Sequence, residues 1–425
     1  MTRHQKRFGT ARAALALLTA LSATAGAALV GAAPAGAVQR ATEIAPGVRY
    51  EEFDIAALKG PAHAHVLTVD LRNPRVRLDL LHPGAVAARA TVSQQATAQG
   101  AVAGVNGDFF NISETQHPGV QATGATVGPA IASGRALKAA VPDGQRFGPA
   151  LPPGTSTEDV FGVGVDRRAR LDDLSLAGSI RTAKGRLPLR GLNQYALPVG
   201  SIGAFTAKWG NVSRVRATCG TDTDRAAPCS TDTYEVTVRK GRIVSTAETP
   251  GSGPIAPDTT VLVGREAGAQ KLRKLAAGER SEMGAPPAGG WGRVKVRHRL
   301  VASASRIPYR FALGGYPVLD DGRPLPGLDA RTGAVRTAVG IADQGRRVML
   351  LALDGAPQYR TGLTIAEVAS FMRKLGSVDA FSLDGGGSST LVAREPGEAT
   401  VSVQNHPSDG RERTVPNGIG VFSTR

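Results

Sequence analysis

Three apolar segments of this chain share one ending, an acidic or amide residue followed by glycine. They run into Asn106-Gly107, Asp354-Gly355 and Asp384-Gly385. Buried strands deliver such side chains to the place where strand ends meet, and glycine lets the backbone turn away or a ligand approach closely. The pattern therefore predicts sheets whose strand ends form a cleft lined by these polar groups. Ordinary turns after strands are the alternative interpretation.

The third ending carries the richest loop of the three. Asp384 is followed by a run of small residues: Gly385, Gly386, Gly387, Ser388 and Ser389. Consecutive backbone N–H groups in such a loop form an anion-binding nest, and the two hydroxyls add donors. The loop is not a nucleotide-binding P-loop, because no lysine follows the glycines. We therefore expect a site for an anionic group next to Asp384.

Local signals predict an α+β fold with few helices. Thr91 and Thr364 each precede a helical segment that ends at a glycine, which predicts two short capped helices. Apolar strands are expected at 101–105, 348–353 and 379–383, and residues 65–81 have the alternation of a hairpin.

The chain divides into four stretches by composition. Residues 1–37 are treated as a signal peptide, and residues 38–150 and 301–425 are predicted to build mixed β-sheets that form one catalytic unit. Residues 151–300 contain short β-like segments, including a strand expected at 291–299, between Gly, Pro and Asp turns. They are predicted to be a mostly β inserted subdomain that contributes little to the site.

The amino terminus has the composition of an export signal. Arg3, Lys6 and Arg7 precede the apolar residues 13–33, and residues 35–37 form an A-x-A cleavage site. An uncleaved membrane anchor is the alternative. With the signal removed, no stable membrane span is expected, and the protein should be secreted or extracellular.

Cys219 and Cys229 are the only cysteines. In an oxidising compartment, two cysteines this close in the sequence indicate a local disulfide, and unlinked thiols are the alternative.

The charge balance favours an anionic partner. The formal net charge is +16, which suits phosphates or polyanionic glycans. Aromatic residues make up only 4% of the chain. This argues against stacking platforms for single-stranded nucleic acid, so no nucleic-acid partner is expected.

Further motifs lie within residues 60–145 and 300–425. They are NGDFF (106–110), GGYPVL (314–319), RTAVG (336–340), LDG (353–355), LDGGGSST (383–390) and NHPSDG (405–410), followed by Arg413 and Asn417. In these motifs the chain resembles the phosphodiester glycosidases, the family of the uncovering enzyme N-acetylglucosamine-1-phosphodiester α-N-acetylglucosaminidase. The resemblance implies hydrolysis of a sugar 1-phosphodiester at the anomeric carbon. The family usually has a small residue at the position of Asp108, which leaves the role of this carboxylate open.

Residues suited to this chemistry can be named. Asp384 is the first candidate for the catalytic carboxylate, as nucleophile, base or charge stabiliser, and Asp354 is the second, as proton donor. Arg336 and Arg413 are expected to hold the phosphate, because a guanidinium binds it with two parallel hydrogen bonds. The other substrate-binding candidates are Asn106, Gly385, Gly386, Gly387, Ser388, Ser389 and His406. His406 could serve in proton transfer or in phosphate contact, and a surface turn is an equal alternative.

No cofactor and no metal site are expected. His63 and His65 lack a third ligand in the sequence, although carboxylates alone could hold a single divalent cation. The expected partner is a glycan or cell-wall glycosyl phosphodiester. Two other functions remain open, a non-catalytic envelope or polysaccharide-binding protein and a metal-dependent phosphodiesterase that cuts the P–O bond.

Overall fold

Strands dominate the part of the chain that the computed structural model describes, which is residues 38–182, 185–280 and 293–424. The predicted signal peptide, residues 1–37, lies outside these ranges, as does Trp291 of an expected strand at 291–299. The strands of the first half are β1 Val38–Ala45, β2 Val48–Ala57, β3 Gly60–Asp70, β4 Val76–Leu81, β5 Ala103–Asn106, β6 Ala130–Ala132, β7 Arg135–Lys138, β8 Asp159–Gly164, β9 Ala169–Thr182, β10 Gly185–Leu189, β11 Gly191–Leu192 and β12 Ile202–Phe205. Those of the second half are β13 Thr233–Arg239, β14 Arg242–Ala247, β15 Thr259–Arg265, β16 Lys295–Ala302, β17 Tyr309–Gly314, β18 Tyr316–Asp320, β19 Arg323–Pro324, β20 Thr337–Ala342, β21 Arg347–Leu353, β22 Asp379–Ser382, β23 Leu391–Ala393, β24 Ser402–Val403 and β25 Gly418–Ser423. The helices are α1 Val92–Gln99, α2 Ala267–Arg280 and α3 Ile365–Lys374.

The two predicted helices form with the caps expected from the sequence. The Thr91 hydroxyl accepts the Gln94 N–H at the start of α1, and Thr364 does the same for Glu367 at the start of α3. Each cap satisfies an N–H group that the first helical turn leaves without a partner. Among the described residues, none of the helices combines the length and the apolar character that a membrane crossing requires.

Four sheets organise the described residues. The first has the order β1-β2-β3-β21-β20-β22-β18-β19, and the second the order β24-β23-β5-β25-β4. The third runs β10-β9-β8-β17-β6-β7 with β16 also paired to β9, and the fourth runs β11-β12-β15-β13-β14. Except for β11 and β12, the paired strands are antiparallel.

Residues before 150 and after 301 supply neighbouring strands in three of these sheets. β3 pairs with β21, β5 with β25, and β6 with β17. The main core lies among these sheets and includes the fully buried Leu67, Val105, Leu350 and Phe381. The predicted α+β fold is confirmed, and the described residues before 150 and after 301 share three of its sheets.

The hairpin expected at residues 65–81 does not form. The chain does turn at Asn73, whose carbonyl oxygen accepts the Val76 N–H over 3.1 Å. However, β3 joins the first sheet and β4 pairs with β25 in the second. Alternation in a sequence reports strands with one buried face and does not say which sheet each strand enters.

The region 151–300 is divided between two sheets. β8, β9, β10 and β16 extend the third sheet, whereas β11 to β15 form the fourth. α2, which the sequence analysis missed, packs on β13 and β15 through the buried Ala269, Leu272 and Ala276. This i, i+3, i+7 spacing was a readable helix signal. The boundaries 38–150, 151–300 and 301–425 stay predictions.

Cys219 and Cys229 form a disulfide, as predicted. The bond closes a short loop, residues 219–229, which follows a 3₁₀ turn at Val215–Thr218.

Candidate active site

Two of the three predicted strand ends meet directly, although their strands belong to different sheets. The Asn106 Nδ2 group donates to the Asp384 carbonyl oxygen over 2.7 Å, and the Asp384 N–H donates to the Gly107 carbonyl oxygen over 2.9 Å. β5 lies against β21, which brings this end of the second sheet to the edge of the first. The expected convergence of Asn106 and Asp384 is confirmed.

Asp354 follows a strand at the same edge of the first sheet. β20 lies between β21 and β22 and is antiparallel to both, so Asp354 and Asp384 follow equivalent ends of parallel strands. Two strand spacings place those ends about 10 Å apart. The two carboxyl groups therefore share an edge but have different neighbours.

The Asp384 carboxyl group has a pKa raised to about 6. Burial is the largest cause, because it disfavours the charged form. The Ser388 hydroxyl and the Arg413 guanidinium oppose it, as do the Gly385 N–H, which donates to Oδ1 over 3.0 Å, and the Arg146 guanidinium. Such a group is mostly ionised at pH 7 and still accepts protons readily, which suits a base or nucleophile.

Close packing explains the glycines after Asp384. Gly386 has a φ of +59°, in the left-handed region that favours glycine. A Cβ on Gly387 would lie 2.1 Å from an Asp409 carboxylate oxygen and 2.2 Å from Arg413 Nη2. The backbone at Gly387 therefore has to approach this ion pair without a side chain.

Two of the three expected phosphate donors in this loop are already engaged. The Gly385 N–H donates to Asp384, and the Gly386 N–H donates to the Val335 carbonyl oxygen over 2.8 Å. A ligand can use them only by displacing these bonds. The loop supports the Asp384 carboxylate more directly than it offers an open anion nest.

Arg413 lies beside Asp384 and is anchored through all three of its guanidinium nitrogens. Its Nη1 donates to the Ser388 hydroxyl over 3.3 Å. Its Nε and Nη2 donate to one Asp409 carboxylate oxygen over 3.1 and 2.6 Å. The guanidinium is thus held next to Asp384, where it favours the ionised carboxylate.

Arg336 has other partners. Its Nε donates to the Leu363 carbonyl oxygen over 3.1 Å and its Nη2 to the Thr332 carbonyl oxygen over 2.9 Å. Its electrostatic neighbours include Tyr316 and Asp329. The structure thus ties Arg336 to the loop segments that flank the site.

Asp354 accepts four hydrogen bonds. Its Oδ2 contacts His65 Nε2 at 3.2 Å and His406 Nδ1 at 2.8 Å and accepts the His406 N–H, while Oδ1 accepts the Ala356 N–H over 2.7 Å. Burial raises the pKa of this carboxyl group, but the hydrogen bonds outweigh it and the net pKa lies well below its usual range. Asp354 therefore stays ionised at neutral pH. Of the two carboxyl groups, the structure favours Asp384 as the one that takes up a proton.

His406 is held by Asp354 and open to solvent on its other side. Its side chain is 76% exposed, and the Asp354 carboxylate lies at Nδ1. A carboxylate in this position fixes the ring and its tautomer and leaves Nε2 for proton exchange. The geometry suits the proton-transfer interpretation of His406.

Asn106 and Ser389 are buried and belong to a hydrogen-bond network behind the Asp384 loop. Asn106 Oδ1 accepts the Thr337 hydroxyl over 2.8 Å and the Thr390 N–H over 3.1 Å, and Thr337 also contacts the Ser389 hydroxyl at 3.0 Å. Both residues are fully buried. They hold the Asp384 loop against β20, and a substrate could reach them only if this network opened.

Sequence reasoning left Asp108 without a role and missed Lys138. Asp108 is 2% exposed, and burial raises the pKa of its carboxyl group; Asp384 raises it further and Lys138 lowers it. Its Oδ2 accepts the Gly128 N–H over 2.7 Å, but Oδ1 has no hydrogen-bond partner in the described residues. Burial also lowers the pKa of Lys138, whose ammonium donates to three backbone carbonyl oxygens. A second carboxyl group therefore lies near Asp384.

Arg146 was also missed. It is 8% exposed and interacts electrostatically with Asp108 and Asp384. Its guanidinium lies 4.4 Å from the Phe109 ring centroid and 5.3 Å from that of Tyr316. The sequence around it shows little periodicity and gave no signal that this arginine turns inward.

No conventional metal-ligand set emerges among the described residues. Within the described part of the chain, His117, Cys219 and Cys229 bring their possible ligand atoms close together, but the two cysteines are bonded to each other. His63 and His65, weighed as a metal pair, contact the carboxylates of Asp54 and Asp354 at 2.6 and 3.2 Å.

Part of this chain is similar to a known protein family. Residues 232–422 match the family described as phosphodiester glycosidase. The matched range includes Arg336, Asp354, Asp384, His406 and Arg413. A search of curated protein sequences gives no significant match.

Two solved structures share the fold, and a third was also found to be similar. A Synechocystis protein is 19% identical with a TM-score of 0.65, and the alignment covers 92% of this chain and 64% of the other, so this chain spans less than two thirds of that protein. A Burkholderia pseudomallei protein is 23% identical with a TM-score of 0.61, covering 86% and 75%. The catalytic domain of zebrafish N-acetylglucosamine-1-phosphodiester α-N-acetylglucosaminidase, auto-inhibited by its pro-peptide, is 15% identical with a TM-score of 0.42, covering 92% and 89%. By the family match, residues 232–422 of this chain are similar to the phosphodiester glycosidases.

Proposed function

We propose that this protein is an exported hydrolase that cleaves a glycosyl phosphodiester at the anomeric carbon. The observation that carries the proposal is the environment of Asp384, a half-buried residue whose carboxyl group has a pKa of about 6 and lies near two guanidinium groups, those of Arg413 and Arg146. A glycosyl phosphate requires a carboxylate near C1 and cationic donors around its phosphate. The site contains such a carboxylate, that of Asp384, and cationic donors near it.

In the proposed reaction the bond between C1 and the phosphate oxygen breaks. The electron pair leaves with the phosphate monoester, and guanidinium groups offset the charge that it gains. The oxygen of water bonds to C1, either directly or after a covalent intermediate on Asp384, and the proton of that water passes to a base. Because a phosphate is a good leaving group, the reaction does not depend on a separate general acid.

Asp354 and His406 have a supporting part in this proposal. Asp354 orients His406 through Nδ1, and the exposed Nε2 is free to move protons between the site and solvent. This assignment replaces Asp354 as the proton donor, since its hydrogen bonds keep it ionised.

Export is the second element of the proposal. The pattern of residues 1–37 and the Cys219–Cys229 disulfide both fit an oxidising compartment outside the cytoplasm. The similar Burkholderia protein carries a name that also refers to export. The substrate class is accordingly a glycan or cell-wall polymer that contains glycosyl phosphodiesters.

The experiment is hydrolysis of a synthetic α-GlcNAc-1-phosphodiester in ¹⁸O-labelled water, with and without a chelator. The proposal predicts free sugar and a phosphate monoester without ¹⁸O, and no effect of the chelator. Asp384→Asn should abolish turnover while circular dichroism shows an unchanged fold.

The competing functions give different products. ¹⁸O in the phosphate, together with inhibition by the chelator, would identify a metal-dependent phosphodiesterase that cuts the P–O bond. Tight binding of the diester without turnover would identify a non-catalytic glycan-binding protein.

A further inference from the structure

We propose that the disulfide-closed loop 219–229 positions Arg146 as an anion-binding residue of the active site. This inference rests on the proposed function for its catalytic readout, but it also has a binding readout of its own. It assigns a role to the inserted region, which the sequence analysis expected to contribute little to the site.

The Arg146 guanidinium has buried N–H groups that make no hydrogen bond within the described residues. Its Nη1 donates to the Pro149 carbonyl oxygen, whereas Nε and Nη2 are buried without a hydrogen-bond partner in the described residues. Leaving a buried donor without a partner costs about 1–3 kcal/mol. An anion between these nitrogens would recover that energy.

Arg146 lines an open cavity and also interacts with Asp384. A cavity of about 1020 Å³ is lined by residues between 140 and 158, including Arg146, and by Asp222 and Thr223 of the loop. The same arginine interacts electrostatically with Asp108 and Asp384. Arg146 therefore borders the cavity and also lies close enough to Asp384 to act on its charge.

The loop holds the backbone that carries Arg146. The Arg225 Nη1 group donates to the Arg146 carbonyl oxygen over 2.6 Å, and the Arg225 guanidinium lies 4.1 Å from the Phe147 ring centroid. The Gly144 N–H donates to the Asp222 carbonyl oxygen over 2.9 Å. Contacts on both sides of Arg146 thus come from one loop.

The backbone contact at Gly144 leaves no room for a side chain. A Cβ on this residue would lie 2.3 Å from the Thr223 Cα and 2.4 Å from the Asp222 carbonyl oxygen. The Gln145 side chain adds a bond to the Thr221 carbonyl oxygen. The segment around Arg146 is therefore seated directly on the backbone of the disulfide loop.

The loop in turn is fixed from the fourth sheet. Arg265 of β15, which is 2% exposed, donates through Nη2 to the Gly220 carbonyl oxygen over 2.8 Å. The disulfide closes the loop at Cys219 and Cys229. A path of direct contacts therefore runs from the inserted sheet through the loop to Arg146.

The test compares two arginine substitutions in the full chain. Arg225→Met removes the bond to the Arg146 carbonyl and the contact with Phe147, whereas Arg239→Met removes an exposed ion pair with Asp258 elsewhere in the insertion. We expect Arg225→Met to weaken binding of inorganic phosphate, measured calorimetrically, and to lower kcat/KM on the diester, each at least about fivefold. Arg239→Met should leave both values unchanged.

A double-mutant cycle distinguishes positioning from general stability. In an Arg146→Met background, Arg225→Met should have no further effect on phosphate affinity, because the residue through which it acts is gone. Cys219→Ala/Cys229→Ala should behave like Arg225→Met if it folds, and Arg225→Met alone decides the question if it does not. Equal effects of Arg225→Met in both backgrounds would overturn the positioning role.

The outcomes also separate this inference from the proposed function. Phosphate binding that depends on Arg146 and Arg225 without any diester turnover supports the loop's role and refutes the hydrolase. Turnover with unchanged phosphate affinity in Arg146→Met refutes the anion site and leaves the hydrolase standing.

Discussion

Replacing Asp384 by asparagine should make the protein more stable at neutral pH while it destroys the activity. The residue is half-buried, and desolvation of its carboxyl group raises the pKa from the usual 3.8 to about 6. Folding therefore favours the protonated acid, and an ionised Asp384 costs stability at every pH above its unfolded pKa. Asparagine has nearly the same shape and never ionises.

The size of the effect follows from the difference in pKa. A rise of about two pKa units corresponds to about 3 kcal/mol, since each unit is worth about 1.36 kcal/mol. Between pH 4 and pH 6 the folded wild type holds a proton that the unfolded chain has lost, so wild-type stability falls relative to the variant. The difference in unfolding free energy should grow over this interval and level off above pH 6 at up to about 3 kcal/mol.

The assay is urea unfolding of both proteins at intervals from pH 4 to pH 8, with diester hydrolysis measured on the same preparations. Asp354→Asn is the matched control, because the pKa of Asp354 is lowered and the sign is reversed. Ionised Asp354 stabilises the fold above its unfolded pKa, near 4, and that contribution is lost as the pH falls further. Asp354→Asn should therefore be the less stable protein at pH 7, by about 1–3 kcal/mol.

Two results would refute this reasoning. A stability difference between wild type and Asp384→Asn that stays constant from pH 4 to pH 7 would mean that Asp384 is not desolvated. A folded Asp384→Asn protein that keeps more than about a tenth of wild-type kcat, a loss below about 1.4 kcal/mol, would mean that Asp384 is not the catalytic carboxylate.

Three further substitutions or measurements test other parts of the site. Arg336→Lys should raise KM and lower kcat, because an ammonium cannot reproduce the forked bonds to two carbonyl oxygens, and unchanged kinetics would exclude a role for this guanidinium. Gly387→Ala should lower kcat/KM at least about tenfold without unfolding the protein, because its Cβ would displace Arg413; full activity would show that the position of Arg413 is unimportant. Thiol labelling of unreduced protein should modify neither Cys219 nor Cys229, and a reactive thiol at either position would contradict the disulfide.

Strands and their ends were predictable because their signals are local. The capped helix at Thr91, the apolar strand before Asp354 and the glycine-rich turn after Asp384 each depend on a few consecutive residues. The meeting of Asn106 with Asp384 could also be inferred, because polar strand ends followed by glycine gather at a common edge.

Properties that depend on distant partners could not be read from the sequence. The low pKa of Asp354 comes largely from His65 and His406, which lie 289 and 52 positions away along the chain. Arg146 turns inward because a loop more than 70 residues later holds its backbone. Such contacts follow from the arrangement of the sheets, which local periodicity does not specify.

The pairing of β25 determines how early in protein synthesis the site can form. Gly418 of this last strand pairs with Asn106, and the Asn417 side chain accepts the Asp108 N–H over 3.0 Å. About 310 residues separate these partners, and ribosomes add about 5–20 residues per second, so they are made about 15–60 s apart. Until β25 has left the ribosome, the growing chain has Asn106 and Asp108 without the neighbours that fix them, so the candidate site cannot form before this strand has been made.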